Sequence, residues 1–106
     1  MARSVYSKHF GDVPGISAPG QHTVFTVPPG FVAVVRDVAG LQTSPTGDAF
    51  LREATSTTSW VHWESTRALQ SFQWQGDQVF EEGSQIGLYV GSGSWSVRFC
   101  GFLLAA

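Results

Sequence analysis

Charge is what this chain has least of. Asp, Glu, Lys and Arg make up 13% of its 106 residues, where a soluble domain usually carries about 25%. Lys8 is its one lysine, and the formal net charge is -2. That excludes the dense basic surface that a nucleic-acid backbone or an anionic membrane demands. Cysteine is as scarce: Cys100 stands alone, so no internal disulfide can staple the fold, and a single thiol suits a reducing cytosol. No apolar run approaches the roughly 20 residues of a membrane-spanning helix. The opening M-A-R-S-V-Y-S-K-H-F lacks the continuous apolar segment of a secretion signal, so the chain is expected to be made in the cytoplasm without signal-directed export. Apolar residues nowhere keep a 3.6-residue period over three turns, which removes an amphipathic helix as the organising element.

What remains is rich in aromatics and in chain-turning residues. Hydrophobic residues reach 42% and aromatic ones 13%, with 12 glycines and 5 prolines. A chain of this length makes one domain, residues 1–106, and buries roughly two-thirds of its unfolded surface. An exterior poor in charge and rich in aromatics is the composition of a surface that faces other protein.

The stretch Thr23 to Val38, T-V-F-T-V-P-P-G-F-V-A-V-V-R-D-V, sets the pattern. Two strand-like runs flank Pro28, Pro29 and Gly30, and successive prolines cannot continue a sheet ladder because neither has an N–H to donate. The run Phe31 to Val38 is apolar on both parities, which predicts a central strand covered on both faces. Upstream, Ser4 to Phe10 alternates as a first strand. Gly11, Pro14, Gly15, Pro19 and Gly20 then predict a loop or an extended arm over 11–20. Downstream, strands are expected over Ala49 to Thr55, Trp60 to Glu64, Leu69 to Gln75, Gln85 to Val90 and Trp95 to Leu104, with Gly76-Asp77 turning the chain into Val79 and Phe80. Eight or nine short strands with turn chemistry between them predict an all-β domain: an antiparallel two-sheet β-sandwich of jelly-roll type.

Chemistry is harder to find. His9, His22 and His62 lie on three different strands, without the i, i+2 or i, i+4 pairing of a zinc site. Asp77, Glu81 and Glu82 occupy neighbouring turns, too few oxygens for a dedicated calcium loop. Glu53 and Glu64 are the pair to consider for glycoside hydrolysis, but the sequence does not bring them together. Cys100, between Phe99 and Phe102 inside a strand, reads as a buried, inert thiol. A phosphate loop, a dinucleotide fingerprint and a G-x-S-x-G elbow are all missing. The expectation is therefore no catalytic, cofactor or metal site. Arg36 and Asp37, consecutive opposite charges inside an apolar strand, are expected to pair across strands or subunits. Of the four tryptophans, Trp63, Trp74 and Trp95 follow the apolar parity of their strands and are assigned to the core. Trp60 shares the polar parity of His62, so these two are the residues expected to touch a partner or a glycan.

Over nearly its full length the chain resembles small structural proteins of tailed bacteriophages, particularly those of actinobacteria. The likeness is carried by A-R-S-V-Y-S-K-H-F, by the hairpin-like Val24 to Val38, by W-Q-G-D-Q-V-F-E-E-G-S-Q-I at Trp74 to Ile86 and by S-V-R-F-C-G-F-L-L at Ser96 to Leu104. The resemblance implies a β-sandwich, often a homotrimer, that sits in the virion as a minor tail protein or a capsid decoration protein. Its partners would then be copies of itself and the major capsid or tail proteins, with no nucleic acid, membrane or catalytic residue involved. The alternative expectation is a carbohydrate-binding module or host-surface adhesin that holds a host glycan on exposed aromatics.

Overall fold

The computed structural model describes residues 8–105. They form eight strands: β1 Lys8–Ile16, β2 Gly20–Thr26, β3 Phe31–Gln42, β4 Gly47–Glu53, β5 Thr58–Ser65, β6 Gln70–Phe80, β7 Gln85–Ser92 and β8 Trp95–Ala105. One sheet has the order β1-β8-β3-β6 and the other β2-β7-β4-β5, and every neighbouring pair is antiparallel. Pairing β1 with β8, β2 with β7, β3 with β6 and β4 with β5 describes one long hairpin, its tip between β4 and β5, folded repeatedly across two layers. That is a jelly roll.

The corners follow from local chemistry. Pro28, Pro29 and Gly30 make a turn in which Phe31 N donates to Pro28 O at 3.3 Å and Gly30 takes φ 83°, the conformation that a proline followed by glycine favours. The runs either side do not pair with each other, contrary to the hairpin expected there. β2 and β3 lie in different sheets, so the two prolines mark a crossing between layers.

Two further expectations are corrected. Residues 11–16 are strand rather than loop or arm, and only 17–19 separate β1 from β2. β1 is an edge strand, where proline is tolerated, and its register shifts between His9 and Gly11 and again between Val13 and Ile16. Gly15 sits within the second bulge at φ 54°, a position suited to glycine. Gly11 is needed for a different reason: a Cβ there would run into Val24 Cγ1 of β2. Gly76-Asp77 is likewise not a turn. β6 runs through it unbroken as a bulge opposite Val35 and Asp37, which leaves eight strands among the described residues. The strand expected from Ser4 onward lies partly outside the described residues; Lys8 to Phe10 open β1.

Between the sheets the core gathers Val35, Val38, Leu51, Ile86, Leu88, Val90, Trp95 and Phe99. β3 explains its own pattern. Ala33 and Val35 point inward, the register shifts at Arg36, and Val38 points inward next, so the core face changes parity partway along. Val32 and Val34 fall on the outer face, and Val34 is buried there by its neighbours without joining the core. The strand is central in its sheet, as expected, but only one of its faces meets the other sheet.

At one end of the sandwich Trp63, Phe72 and Trp95 stack, with centroids 5.3 Å apart for Trp63–Phe72 and 6.2 Å for Trp63–Trp95. Gly40 lies under this stack, and a Cβ on it would come within 2.6 Å of Trp63 Cζ3. Gly40→Ala is therefore expected to destabilise the fold by about 1–3 kcal/mol through overpacking. Urea denaturation would measure the loss, and an unchanged midpoint would contradict it.

Beside the stack, buried Gln42 ties two corners together. Its Nε2 donates to Ser44 Oγ and to Thr46 O, and its Oε1 faces Ser65 Oγ at 3.2 Å. Ser65 Oγ also lies 2.7 Å from Arg67 O and 2.9 Å from Gln70 Oε1, so its one proton serves these acceptors in turn. A buried amide left without partners would be costly, and this network gives Gln42 its partners.

Candidate functional site

Each sheet has an outer face, and the two are built differently. On the β1-β8-β3-β6 face, cross-strand register places Val32 opposite Leu104, Val34 opposite Phe102, and Val34 opposite Val79. These five side chains make an outward apolar cluster at one end of the sheet. Beside it Arg36 pairs with Asp77 at 2.7 Å and lies over the Phe102 ring at 5.9 Å. Asp37 accepts from Gln73 Nε2 at 3.2 Å. Arg36 and Asp37 thus reach separate groups on β6, Arg36 in an exposed ion pair and Asp37 in a hydrogen bond to a neutral amide.

Farther along the face, Arg98 meets Asp12 across the β1–β8 ladder at 3.4 Å. A shallow depression of about 430 Å³ runs past this pair, bounded also by Pro14, Ala39, Leu41 and Ser96. Cys100, expected to be buried, is only half-buried, within reach of the charges of Asp37, Arg98 and Asp12. Burial raises its thiol pKa, the Asp37 carboxylate raises it further, and Arg98 opposes them weakly. A thiol held protonated is a poor nucleophile, which matches the inert reading.

The β2-β7-β4-β5 face carries a row of rings. Arg52 lies over Tyr89 at 4.6 Å, Tyr89 meets Phe50 edge-on at 6.1 Å, and Phe50 stacks on His62 at 4.2 Å with planes 9° apart. His62 Nε2 is 3.5 Å from Asp48, which accepts from Ser92 Oγ at 2.9 Å. Across strands a neighbour covers one flat face of each ring: Phe50 and His62 cover each other, and Arg52 covers Tyr89. A sugar platform needs such faces turned to solvent.

Sequence reasoning placed His62 correctly on an outer face but missed its companions. Their signal was the alternation in A-F-L-R-E at Ala49 to Glu53: Ala49, Leu51 and Glu53 are buried, and Phe50 and Arg52 face out. Trp60 is a correction. Leu51 pairs with Val61 but Arg52 pairs with Ser59, so Trp60 is the extra residue of a bulge, and the bulge reverses its side. Its indole packs inward at 5.9 Å from Trp74 and 5.1 Å from Phe80. Trp60→Ala is accordingly expected to cost about 2–3 kcal/mol of stability, toward the lower end for a large core truncation because the ring is only half-buried. Thermal unfolding would measure it; an unchanged melting temperature would return Trp60 to the role of a surface contact.

The carboxylates Glu53 and Glu64 do not meet. Glu53 is buried at the inner end of β4, and Glu64 faces solvent opposite Asp48 at the other end of the β4–β5 ladder. Glu53 is fully engaged in the β4–β5 turn. It accepts from Thr55 N at 3.1 Å, Ser56 N at 2.8 Å, Gln85 N at 2.7 Å and the hydroxyls of Thr55 and Ser56. Burial by itself would raise its pKa, but these donors together outweigh burial and bring it from 4.5 to about 2. Among the described residues, no group of three His, Cys, Asp or Glu side chains is placed to hold a metal ion. No protein-family model matches the chain, and no curated protein matches it either.

Proposed function

We propose that this chain is a non-enzymatic structural protein of a bacteriophage virion, a minor tail protein or a capsid decoration protein that associates with its own copies and docks on the particle. The observation that carries the reading is the outward apolar cluster of Val32, Val34, Val79, Phe102 and Leu104 on a jelly roll so poorly supplied with charge. A cluster of this kind, rimmed by the Arg36–Asp77 pair, has the composition of an interface centre with a polar rim. The ionisable side chains support a scaffold role as well. Glu53 closes a turn, and Arg36, Asp37 and Arg98 brace neighbouring strands.

Cosedimentation tests this. Purified protein is expected to pellet with particles assembled without it, and Phe102→Lys is expected to stay in the supernatant while remaining folded. Wild-type protein that never pellets with particles would overturn the proposal. Glycan binding, the alternative expectation, has less to support it once Trp60 turns inward and the rings around His62 stack on one another.

A further inference from the structure

Four strands end the two sheets: β1 and β6 in one, β2 and β5 in the other. Edge strands expose backbone groups that another strand can pair with, and proteins guard them with bulges, prolines, charges or shortness. Three of these edges are guarded. β1 carries Pro14, Asp12 and two register shifts. β2 has seven residues and a shift between Thr23 and Phe25. β5 has the Trp60 bulge and Glu64.

β6 differs. Gln70 to Gln75 pairs residue for residue with Gln42 to Asp37 without a shift, and from Ala68 to Gly76 the sequence A-L-Q-S-F-Q-W-Q-G has neither charge nor proline. Of the three exposed large apolar residues among those described, Phe31 starts β3 and the two most accessible flank or lie on β6. Leu69, 71% accessible, stands immediately before it, and Val79, 57% accessible, lies near its end. Leu69 also holds a positive φ of 59°, a costly conformation for a bulky side chain.

We infer that β6 is a self-association edge, pairing antiparallel with β6 of a second copy about a two-fold axis at Gln73. This rests on the self-association within the proposed function and gives it a surface. The register is the one that uses the whole segment from Gln70 to Gly76. Gln73 faces its own counterpart, Phe72 faces the second copy's Trp74, and Ser71 faces its Gln75. Because an antiparallel pairing about a residue preserves parity, the inward aromatics meet inward aromatics and the outward amides meet outward amides. No like charges are brought together. The two four-stranded sheets become one continuous sheet, which sets the two outward apolar clusters on a common face. A single strand edge buries less than the roughly 1,200 Å² of a stable complex, so the dimer is concentration-dependent in solution and is strengthened where a particle holds copies close together.

Sedimentation velocity over a wide concentration range tests this with wild type, Gln73→Lys and Gln73→Asp. Gln73 is exposed and donates to Asp37. Gln73→Lys keeps that contact as an ion pair and Gln73→Asp turns it into like-charge repulsion, so circular dichroism and a urea midpoint of each variant are taken first to establish that both are folded. If Gln73→Lys misfolds, Ser71→Lys, one pair from the axis, replaces it. Wild type is expected to pass from monomer to dimer. Each variant is expected to dimerise at least about tenfold more weakly, since like charges meet at the axis, and an equimolar mixture of the two is expected to recover the dimer. A wild type that stays monomeric, a trimer indifferent to residue 73, or a mixture that fails to recover would each overturn the edge pairing. Particle binding is scored separately. Variants that lose the dimer but still pellet support the pairing and leave the virion reading standing, and a dimer that never pellets supports the pairing while removing that reading.

Discussion

Glu53→Gln is expected to remove roughly 3 kcal/mol of stability at neutral pH and, with it, an acid-sensitive part of the stability profile. The carboxylate is 4% accessible, and every donor aimed at it is positioned for an anion: three backbone amides and two hydroxyls. A glutamine keeps one acceptor oxygen and turns an N–H₂ toward donors, leaving buried amides unpaired. The turn at the hairpin tip and the start of β7 then lose their common anchor, because Gln85 N is held from Glu53 and Ala54 N donates to Gln85 O at 2.8 Å.

The pH dependence comes from the same group. Its folded pKa of about 2 lies below the ordinary 4.5, so the unfolded chain takes up the proton first as pH falls. The contribution is present in full above about 4.5 and is lost progressively toward 2. A shift of this size corresponds to about 3 kcal/mol. Urea midpoints measured across that window should fall steeply for wild type and more gently for Glu53→Gln. Parallel curves would show that Glu53 is not the group responsible.

Trp95→Ala is the other large effect expected. Trp95 is fully buried, stacks with Trp63 and Phe72, and donates from Nε1 to Ser92 O at 2.9 Å. Its removal opens a cavity that stiff neighbouring rings cannot fill and strips the β7–β8 corner of a hydrogen bond. Losses of about 3–5 kcal/mol are usual for such truncations, against a total of about 5–15 kcal/mol for a domain. The expected result is a protein that unfolds at much lower urea concentration and loses the near-ultraviolet dichroism of packed rings. Near-native stability would mean that the aromatic stack is not the keystone of its end of the sandwich.

Much of this fold was legible in the residues. The alternation of Val61 to Glu64 and the apolar parity of Gln85 to Val90 and of Trp95 to Phe99 pointed to strands, and the structure has strands there. The features that were not legible share one physical origin, the β-bulge. A bulge inserts one unpaired residue and reverses the side of every residue after it, so parity counted from one end of a strand fails on the far side. At Arg36 it made β3 look apolar on both faces; at Trp60 it moved an indole from outside to inside; at Gly76-Asp77 it imitated a turn. The glycines and prolines of 11–20 misled in a related way, since residues that break a central strand are accommodated on an edge.

The candidate surfaces were less visible than the core. Arg36 and Asp37 drew notice as charges in an apolar strand, but Arg36 is exposed and Asp37 only half-buried, and their contacts Asp77 and Gln73 sit on a strand distant in sequence that no local pattern could connect to them. The outward valines of β3 were hidden among inward ones. Only the register with Phe102 and Leu104 shows that they form one surface.

The proposed virion role requires that the outward apolar cluster be covered by other protein in an assembled particle. A reconstruction of an intact virion by electron microscopy tests it directly. The expected result is the eight-stranded slab in repeated copies, with Val79, Phe102 and Leu104 against a neighbouring subunit. Slabs whose β1-β8-β3-β6 face meets only solvent, or a virion without the slab, would contradict it.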